Sequence, residues 1–242
     1  MKKKLNGAQL KWLAIITMLI DHIGAVVIYQ YAVSRGIGLS LNPGRWSGNT
    51  VEILYVTTRL IGRLAFPIFC FLITEGFYHT RDVGKYLRRL GIFALISEIP
   101  FDLATDGVLL EYTSQNVFFT LFYGVLTLYL TTLIADKMGD KFSTRLLQFA
   151  VVVAMAFFNE KMGSDYGYYG IMLIYLIYQF RDNRLVQSIV MFIMGLYQMT
   201  ACLSSLLTYQ YNGERGNQPK YFFYAFYPVH LLILYGIVKI IL

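Results

Sequence analysis

Asp21 and His22 are adjacent ionisable residues inside an apolar run, residues 10–31, that reads LKWLAIITMLIDHIGAVVIYQY. The run is long enough to cross a bilayer, which takes about 20 residues. A charge in the middle of such a run is costly unless compensated, so an ionisable pair there marks a functional site by default. Lys11 opens the same run. It precedes His22 by eleven residues, three helical turns at ~100° per residue, so both side chains lie on nearly one stripe, about 16 Å apart along the axis. A cation at the membrane mouth and an imidazole deep inside suit an elongated ligand with an anionic head and a reactive end. The imidazole is then a candidate general base. Neighbouring helix positions diverge by ~100°, so Asp21 is expected to pair with an arginine elsewhere rather than to hold the His22 ring.

The remaining polar residues of the apolar runs are candidates of two kinds. Arg59 and Arg63 are spaced i, i+4 and share a face. They can neutralise Asp21, Glu75 or Glu98, or stabilise a developing oxyanion. Lys85, Arg88 and Arg89 fall in a basic stretch after the second run. They are either ordinary cytoplasmic positive charges or, with Lys11, a phosphate clamp. Glu75, Glu98, Asp102, Asn212, Arg215 and His230 are candidates for an acceptor site. Glu98 and Asp102 share a face if helical. Asn212 and Arg215 either line that site or cap a turn. His230 gains interest if it meets Asp21 or His22 in space.

The elements that must position these residues are membrane helices. Of the 242 residues, 57% are hydrophobic and 14% charged, against about a quarter charged in soluble domains. Mean hydropathy is +0.52. The apolar runs are 10–31, 51–79, 90–103, 117–135, 146–158, 168–180, 185–208 and 221–242. They predict an all-α, single-domain, multi-pass helical bundle over residues 1–242, with about eight crossings. The run 90–103 is short and polar and is expected to face a cavity or to be re-entrant. Runs five and six, about 13 residues each, fall short of a full crossing. Basic residues concentrate at the N-terminus and in 80–89, 137–145 and 181–184. This places both termini in the cytoplasm and the segment 209–220 outside, in the cell membrane. The first run lacks a small-residue cleavage site and is expected to stay in the mature chain. The net charge of +7 follows from the same loop bias and requires no nucleic acid. Cys70 and Cys202 both lie in apolar runs and read as buried thiols. Walker A, GxSxG, HExxH and paired CxxC motifs are absent from the sequence. Three scattered histidines give no metal-ligand spacing.

The segments ITMLIDHIGAV, GRLAFPIFCFLITEGFYHTRDVGKYLRRL, FALISEIPFDL, NVFFTL, DYGYYGIMLI and YNGERG…KYFFYAFYPVHLLILY resemble the TraX family, in order and over most of the chain. The resemblance implies a membrane acetyltransferase of the kind that N-acetylates a processed pilin subunit in conjugation. The same residues are similar to a wider superfamily of membrane acyltransferases that modify glycans from acyl-CoA. There a basic residue precedes a catalytic histidine in the first span, as Lys11 precedes His22. A basic RxxR-type motif follows the second span, where this chain has Lys85-Tyr86-Leu87-Arg88-Arg89, with lysine in the first basic place.

Taken together, an acyltransferase is expected, with acetyl-CoA as acyl donor and no metal. Lys11, Lys85, Arg88 and Arg89 would hold its phosphates. His22 would act as base or as an acylated nucleophile, supported by Asp21, Arg59 and Arg63. The acceptor is an amine or hydroxyl, either a pilin-like N-terminus or another surface substrate. O-acetylation of an envelope glycan, with Tyr211, Tyr221, Phe222, Phe223 and Tyr224 stacking on sugars, stays open. So does a proton-coupled transporter built on the intramembrane charges.

Overall fold

The computed structural model describes residues 4–217 and 221–242. It is all-helical: α1 (Gly7–His22), a π-helical segment (Ile23–Ile28), α2 (Tyr29–Ser34), α3 (Thr50–Gly62), α4 (Ala65–His79), α5 (Val83–Thr105), α6 (Val117–Met138), α7 (Phe142–Lys161), α8 (Gly167–Gln179), α9 (Arg184–Gly195), a 3-10 segment (Leu196–Leu203), α10 (Ser204–Tyr209) and α11 (Phe222–Ile241). Among the described residues six helical stretches are long and apolar enough to cross a membrane: Gly7–Ser34, Thr50–His79, Val117–Met138, Phe142–Lys161, Arg184–Tyr209 and Phe222–Ile241. α5 fails that criterion through its charges and α8 through its 13 residues.

Local sequence sets the helix ends. Asn6 caps α1 in a reciprocal box with Gln9, each side chain accepting from the other's backbone N–H at 2.9 Å. Asp82 caps α5, its Oδ1 accepting from the Lys85 N–H at 2.8 Å. This cap carries the helix back through the basic stretch, so Lys85, Arg88 and Arg89 lie in its first turns and not in a loop. The run 90–103, which reads as short and either facing a cavity or re-entrant, is part of a continuous 23-residue helix with Pro100 inside it. The fifth run is also longer than its apolar part, because α7 extends over 20 residues into polar flanks.

Contacts fix the direction of each helix. Trp12 packs on Phe222 and Phe223, and His22 on His230, so α1 and α11 run parallel. Tyr29 meets Tyr55, Gly24 abuts Thr58, and Gly62 abuts Asp21, so α3 runs back along the first helix. A Cβ at Gly24 or Gly62 would collide with Thr58 or Asp21, so these glycines set the close approach. α4 carries on to the end where the chain began. There Phe71 packs on Tyr211, and Leu5 and Tyr211 form a parallel bridge.

The stretch Arg184–Tyr209 does not run straight through. Gly195 abuts Cys202, Thr208 Oγ1 lies 3.4 Å from Met191 Sδ, and the Arg184 guanidinium covers the Tyr211 ring at 5.3 Å. α9 and α10 therefore form a hairpin whose two ends meet. Its tip breaks helical geometry at Gln198 and at Met199, which has φ 55°.

This corrects two sequence expectations. Of the segment 209–220, residues 218–220 lie outside the described residues, and 209–217 do not lie opposite the described start of the chain. The Lys4 and Leu5 N–H groups donate to the Gln210 carbonyl at 3.1 Å, and the Gly7 N–H to Glu214 O at 2.8 Å. Nor do the first and last described residues share one end: α11 starts beside Trp12 and runs parallel to α1, so Leu242 lies at the far end of the bundle from Lys4. Hydropathy counts apolar residues and cannot register a reversal inside a run.

Candidate functional site

The last residue of α1 before the π segment is His22. π turns often mark functional positions. His230, buried on α11, reaches it: His230 Nε2 lies 2.9 Å from His22 Nδ1. His230 Nδ1 lies 2.7 Å from the Phe226 carbonyl. A carbonyl only accepts, so in the neutral pair His230 Nδ1 carries hydrogen and its Nε2 is bare. His22 Nδ1 must then donate, which leaves His22 Nε2 with a free lone pair. Phe226 stacks on the His230 ring, with centroids 4.9 Å apart and planes 18° apart, and holds its orientation.

Asp21 pairs with Arg59 at 2.7 Å, both largely shielded from solvent. Asp21 Oδ1 and Arg59 Nε have no further partner among the described residues. Such a pair neutralises a carboxylate that is costly at this depth. Arg63, one turn on, is within electrostatic reach of Asp21. Of the alternatives open for the two arginines, Arg59 takes Asp21.

Asp21 and His22 both border a small cavity of about 40 Å³. It is lined by Asp21, His22, Gly62, Phe66, Tyr227 and, from the loop between α7 and α8, Asp165 and Tyr166, among others. Tyr166 is stacked flat on Phe66, centroids 3.4 Å apart. Asp165, Tyr166 and Tyr227 escape the sequence reading. Asp165 and Tyr166 sit in what reads as a turn, and Tyr227 in an aromatic run like several others. The available signal is Gly163 and Gly167, which flank Asp165 at φ 68° and 42° and so mark a tightly shaped loop. Asp21, Arg59 and Arg63 are all within electrostatic reach of the Asp165 carboxyl.

The basic candidates gather at the other end, around the start of α11. Lys11 Nζ lies over Phe223 at 5.3 Å from the ring centroid. Arg89 reaches Tyr224 and covers the Tyr86 ring. Lys85 pairs with Asp82 at 3.0 Å, and Arg88 is near the same carboxylate. α1 is unbroken between Lys11 and His22, so the two stand about 16 Å apart along its axis, both facing α11.

Other candidates lie apart from the cavity. Glu75 pairs with Arg184 at 3.3 Å and with His79 at 3.8 Å, not with Arg59 or Arg63. Glu98 accepts from the Asn116 side chain, and Asp102 from the Glu111 N–H at 2.8 Å. Both brace the start of α6 and the loop before it. Asn212 Nδ2 donates to Glu214 at 3.0 Å and its Oδ1 accepts the Glu214 N–H, so Asn212 shapes the turn beside the N-terminus. Arg215 is in that turn, within electrostatic reach of Lys11. Of the aromatic residues considered for sugar stacking, Tyr211, Phe222, Phe223 and Tyr224 pack internally on Phe71, Trp12 and Phe93.

No solved structure matches the chain. A curated relative, the probable fimbrial assembly protein FimC, serogroup H1, of Dichelobacter nodosus, is 29% identical over 260 residues, covering 95% of this chain and 94% of the relative. The family model described as TraX protein matches residues 6–238. An alignment that runs from the Asn6 cap almost to the end of α11 takes in every residue of the cavity, and the chain belongs to the TraX family.

Proposed function

We propose that this chain is an integral membrane acyltransferase, moving an acetyl group from cytoplasmic acetyl-CoA to an amine or hydroxyl acceptor at the opposite face. The observation that carries the proposal is the His22–His230 pair, which leaves His22 Nε2 unprotonated at a cavity beside the Asp21–Arg59 ion pair. Orientation follows from charge. Gly91 abuts Phe122, Tyr123 meets Phe158 and Phe77 meets Tyr178, so α6 runs against α5 and α7, and α8 runs with α4. Arg81, Lys85, Arg88, Arg89, Lys137, Lys141, Arg145, Arg181, Arg184 and Arg215 then belong to the end of the first described residues, against Arg35, Arg45, Lys161 and Lys239 at the far end. That end is the cytoplasmic one by the positive-inside bias. The chain then crosses seven times, with the α9–α10 hairpin re-entrant and the C-terminus outside.

Acetyl-CoA enters at the basic end, its phosphates met by Lys11 and Arg89 and, a turn away, by Lys85 and Arg88. Its thioester extends along the α1–α11 stripe toward His22. The acceptor attacks the thioester carbonyl while His22 Nε2 removes its proton, and His22 then returns that proton to the departing thiolate. The developing oxyanion is stabilised by Arg63, or by Arg59 while it holds Asp21. The relative's name, a fimbrial assembly protein, supports a pilin-like acceptor in the cell membrane.

The test is calorimetric titration of acetyl-CoA into detergent-purified protein, with acetyl transfer followed in parallel. Lys11→Ala and Arg89→Ala are expected to weaken binding at least tenfold. His22→Ala is expected to keep binding and lose transfer. A wild type that binds no acyl-CoA overturns the proposal, as does a His22→Ala variant that still transfers.

A further inference from the structure

The start of α6 and the middle of α11 meet on the wall of the cavity that His22 borders, where Val117 and Tyr227 both line it. The first N–H groups of a helix have no partner within it. In α6, Asn116 Oδ1 accepts the Phe118 N–H at 3.0 Å, and the Phe119 N–H turns back to the Asn116 carbonyl at 3.1 Å. The Val117 N–H faces the Tyr227 hydroxyl instead. An N–H only donates, so it meets the oxygen of that hydroxyl and not its hydrogen. Tyr227 is 3% exposed, and among the described residues its O–H has no acceptor. The ring is not free to swing toward one. It stands edge-on to Phe118, centroids 5.3 Å apart and planes 88° apart, and edge-on to His22 at 5.8 Å and His230 at 5.6 Å. A buried hydroxyl with its hydrogen unused costs stability, and such a group in a native structure calls for an explanation. The fixed charges around it are offset. Arg59 and Arg63 stand with Asp21 and Asp165, and Asp165 and Glu98 are within electrostatic reach of the phenol. Negative charge that builds up here therefore needs a donor at contact distance in addition to the field of the arginines.

We propose that Tyr227 is a catalytic residue, the donor whose O–H meets the thioester carbonyl oxygen as that oxygen becomes an anion. The inference rests on the acyl-transfer proposal for its chemistry. Two features suit the phenol to the task. The Val117 N–H on its oxygen polarises the O–H bond, and the N-terminus of the 22-residue α6 adds partial positive charge beside it. The donor is also fixed before the reaction begins, so no reorganisation is needed as charge develops. In the reaction the nucleophilic atom of the acceptor forms its bond to the carbonyl carbon, and the C=O π pair moves onto oxygen. The Tyr227 hydrogen bonds that oxygen without leaving the phenol. His22 Nε2 holds the proton taken from the nucleophile. The electron pair then restores C=O, the C–S bond breaks, and the proton on His22 passes to sulfur. Tyr227 ends as it began. The sum is acetyl-CoA plus acceptor giving acetylated acceptor and CoA–SH.

The experiment uses the full chain in detergent. Tyr227→Phe keeps the ring and its packing and deletes the oxygen. It is expected to lower kcat for acetyl transfer about 10²–10³-fold, the effect of removing one oxyanion donor, with KM for acetyl-CoA little changed. Calorimetry with two unreactive probes gives a second readout that needs no turnover. S-acetonyl-CoA is a plain ketone. S-trifluoroacetonyl-CoA hydrates to a tetrahedral carbon bearing an acidic hydroxyl and so stands in for the adduct. Wild type is expected to bind the trifluoro probe about tenfold or more tightly than the plain ketone. Tyr227→Phe should lose that preference while binding the plain ketone as wild type does. A hydroxyl that merely capped α6 would lower the melting temperature and leave the preference intact. Retention of the preference in Tyr227→Phe overturns the proposal, as does a kcat within about threefold of an active wild type, and either result leaves the acyl-transfer reading standing. A wild type that binds neither probe nor acetyl-CoA overturns that reading and this inference with it.

Discussion

His230 Nε2 stands 2.9 Å from His22 Nδ1, and the Phe226 carbonyl on the far side of the His230 ring decides which of the two carries the shared hydrogen. On the proposed mechanism His230 is a positioning residue, since it would act through His22. His230→Phe should lower kcat for acetyl transfer by one to two orders of magnitude with KM for acetyl-CoA little changed, a fraction of the ~10²–10⁴ that a general base supplies. His230→Gln keeps a side-chain acceptor for His22 Nδ1 and should recover part of that loss. Equal kcat values for the Phe and Gln variants would rule out the tautomer role.

Arg59 and Gly62 lie on one helix and meet the same carboxylate. Arg59→Ala leaves Asp21 as a buried charge without its partner and should cost about 3 kcal/mol. Arg59→Ala combined with Asp21→Asn should recover most of it. Gly62→Ala drives a methyl group into Asp21 and should cost about 1–3 kcal/mol by overpacking. Thermal melting in detergent reads all three variants, and an unchanged melting temperature for Arg59→Ala would contradict the ion pair.

The hairpin of α9 and α10 makes a topological prediction. A single cysteine at Gly213, in a chain with Cys70 and Cys202 replaced by serine, should label from the same side as one at Asn6. A cysteine at Leu242 should label from the opposite side. Labelling of positions 213 and 242 from one side would contradict the parallel course of α1 and α11.

Met199 is the one non-glycine residue at positive φ among the described residues, at the hairpin tip. Met199→Gly relieves that backbone and should stabilise the protein by about 1 kcal/mol. A drop in melting temperature would mean that the Met199 side chain contributes more than its backbone costs.

Much of the site was legible because charge in an apolar run is conspicuous. Asp21 demanded an arginine and Arg59 supplies it. His22 and His230 each stood out as polar residues in lipid-length runs, although their meeting is a property of α11 packing on α1. The stripe from Lys11 to His22 followed from helix geometry alone, because no break intervenes in α1. The α9–α10 reversal was not legible. The residues 185–208 are apolar enough to span, and the turn depends on Gly195 admitting the Cys202 backbone and on one residue taking an unusual φ. Asp165 was missed because a polar residue in a turn is unremarkable until the loop is seen to descend to the level of His22. α5 was misjudged at its start because its first turns are basic, and hydropathy reads a charged helical turn as loop.

The two pairs at the centre of the molecule close at different moments of its synthesis. Asp21 and Arg59 are 38 residues apart, His22 and His230 are 208 apart. The carboxylate is therefore neutralised when the second apolar run joins the first, early in insertion. The imidazole waits for the last helix to emerge from the ribosome. A chain truncated before α11 can keep Asp21 compensated in the bilayer while His22 has no partner to set its proton. On the proposed mechanism, nascent and prematurely ended chains would be inserted yet inert, and transfer would begin only once the final segment has docked.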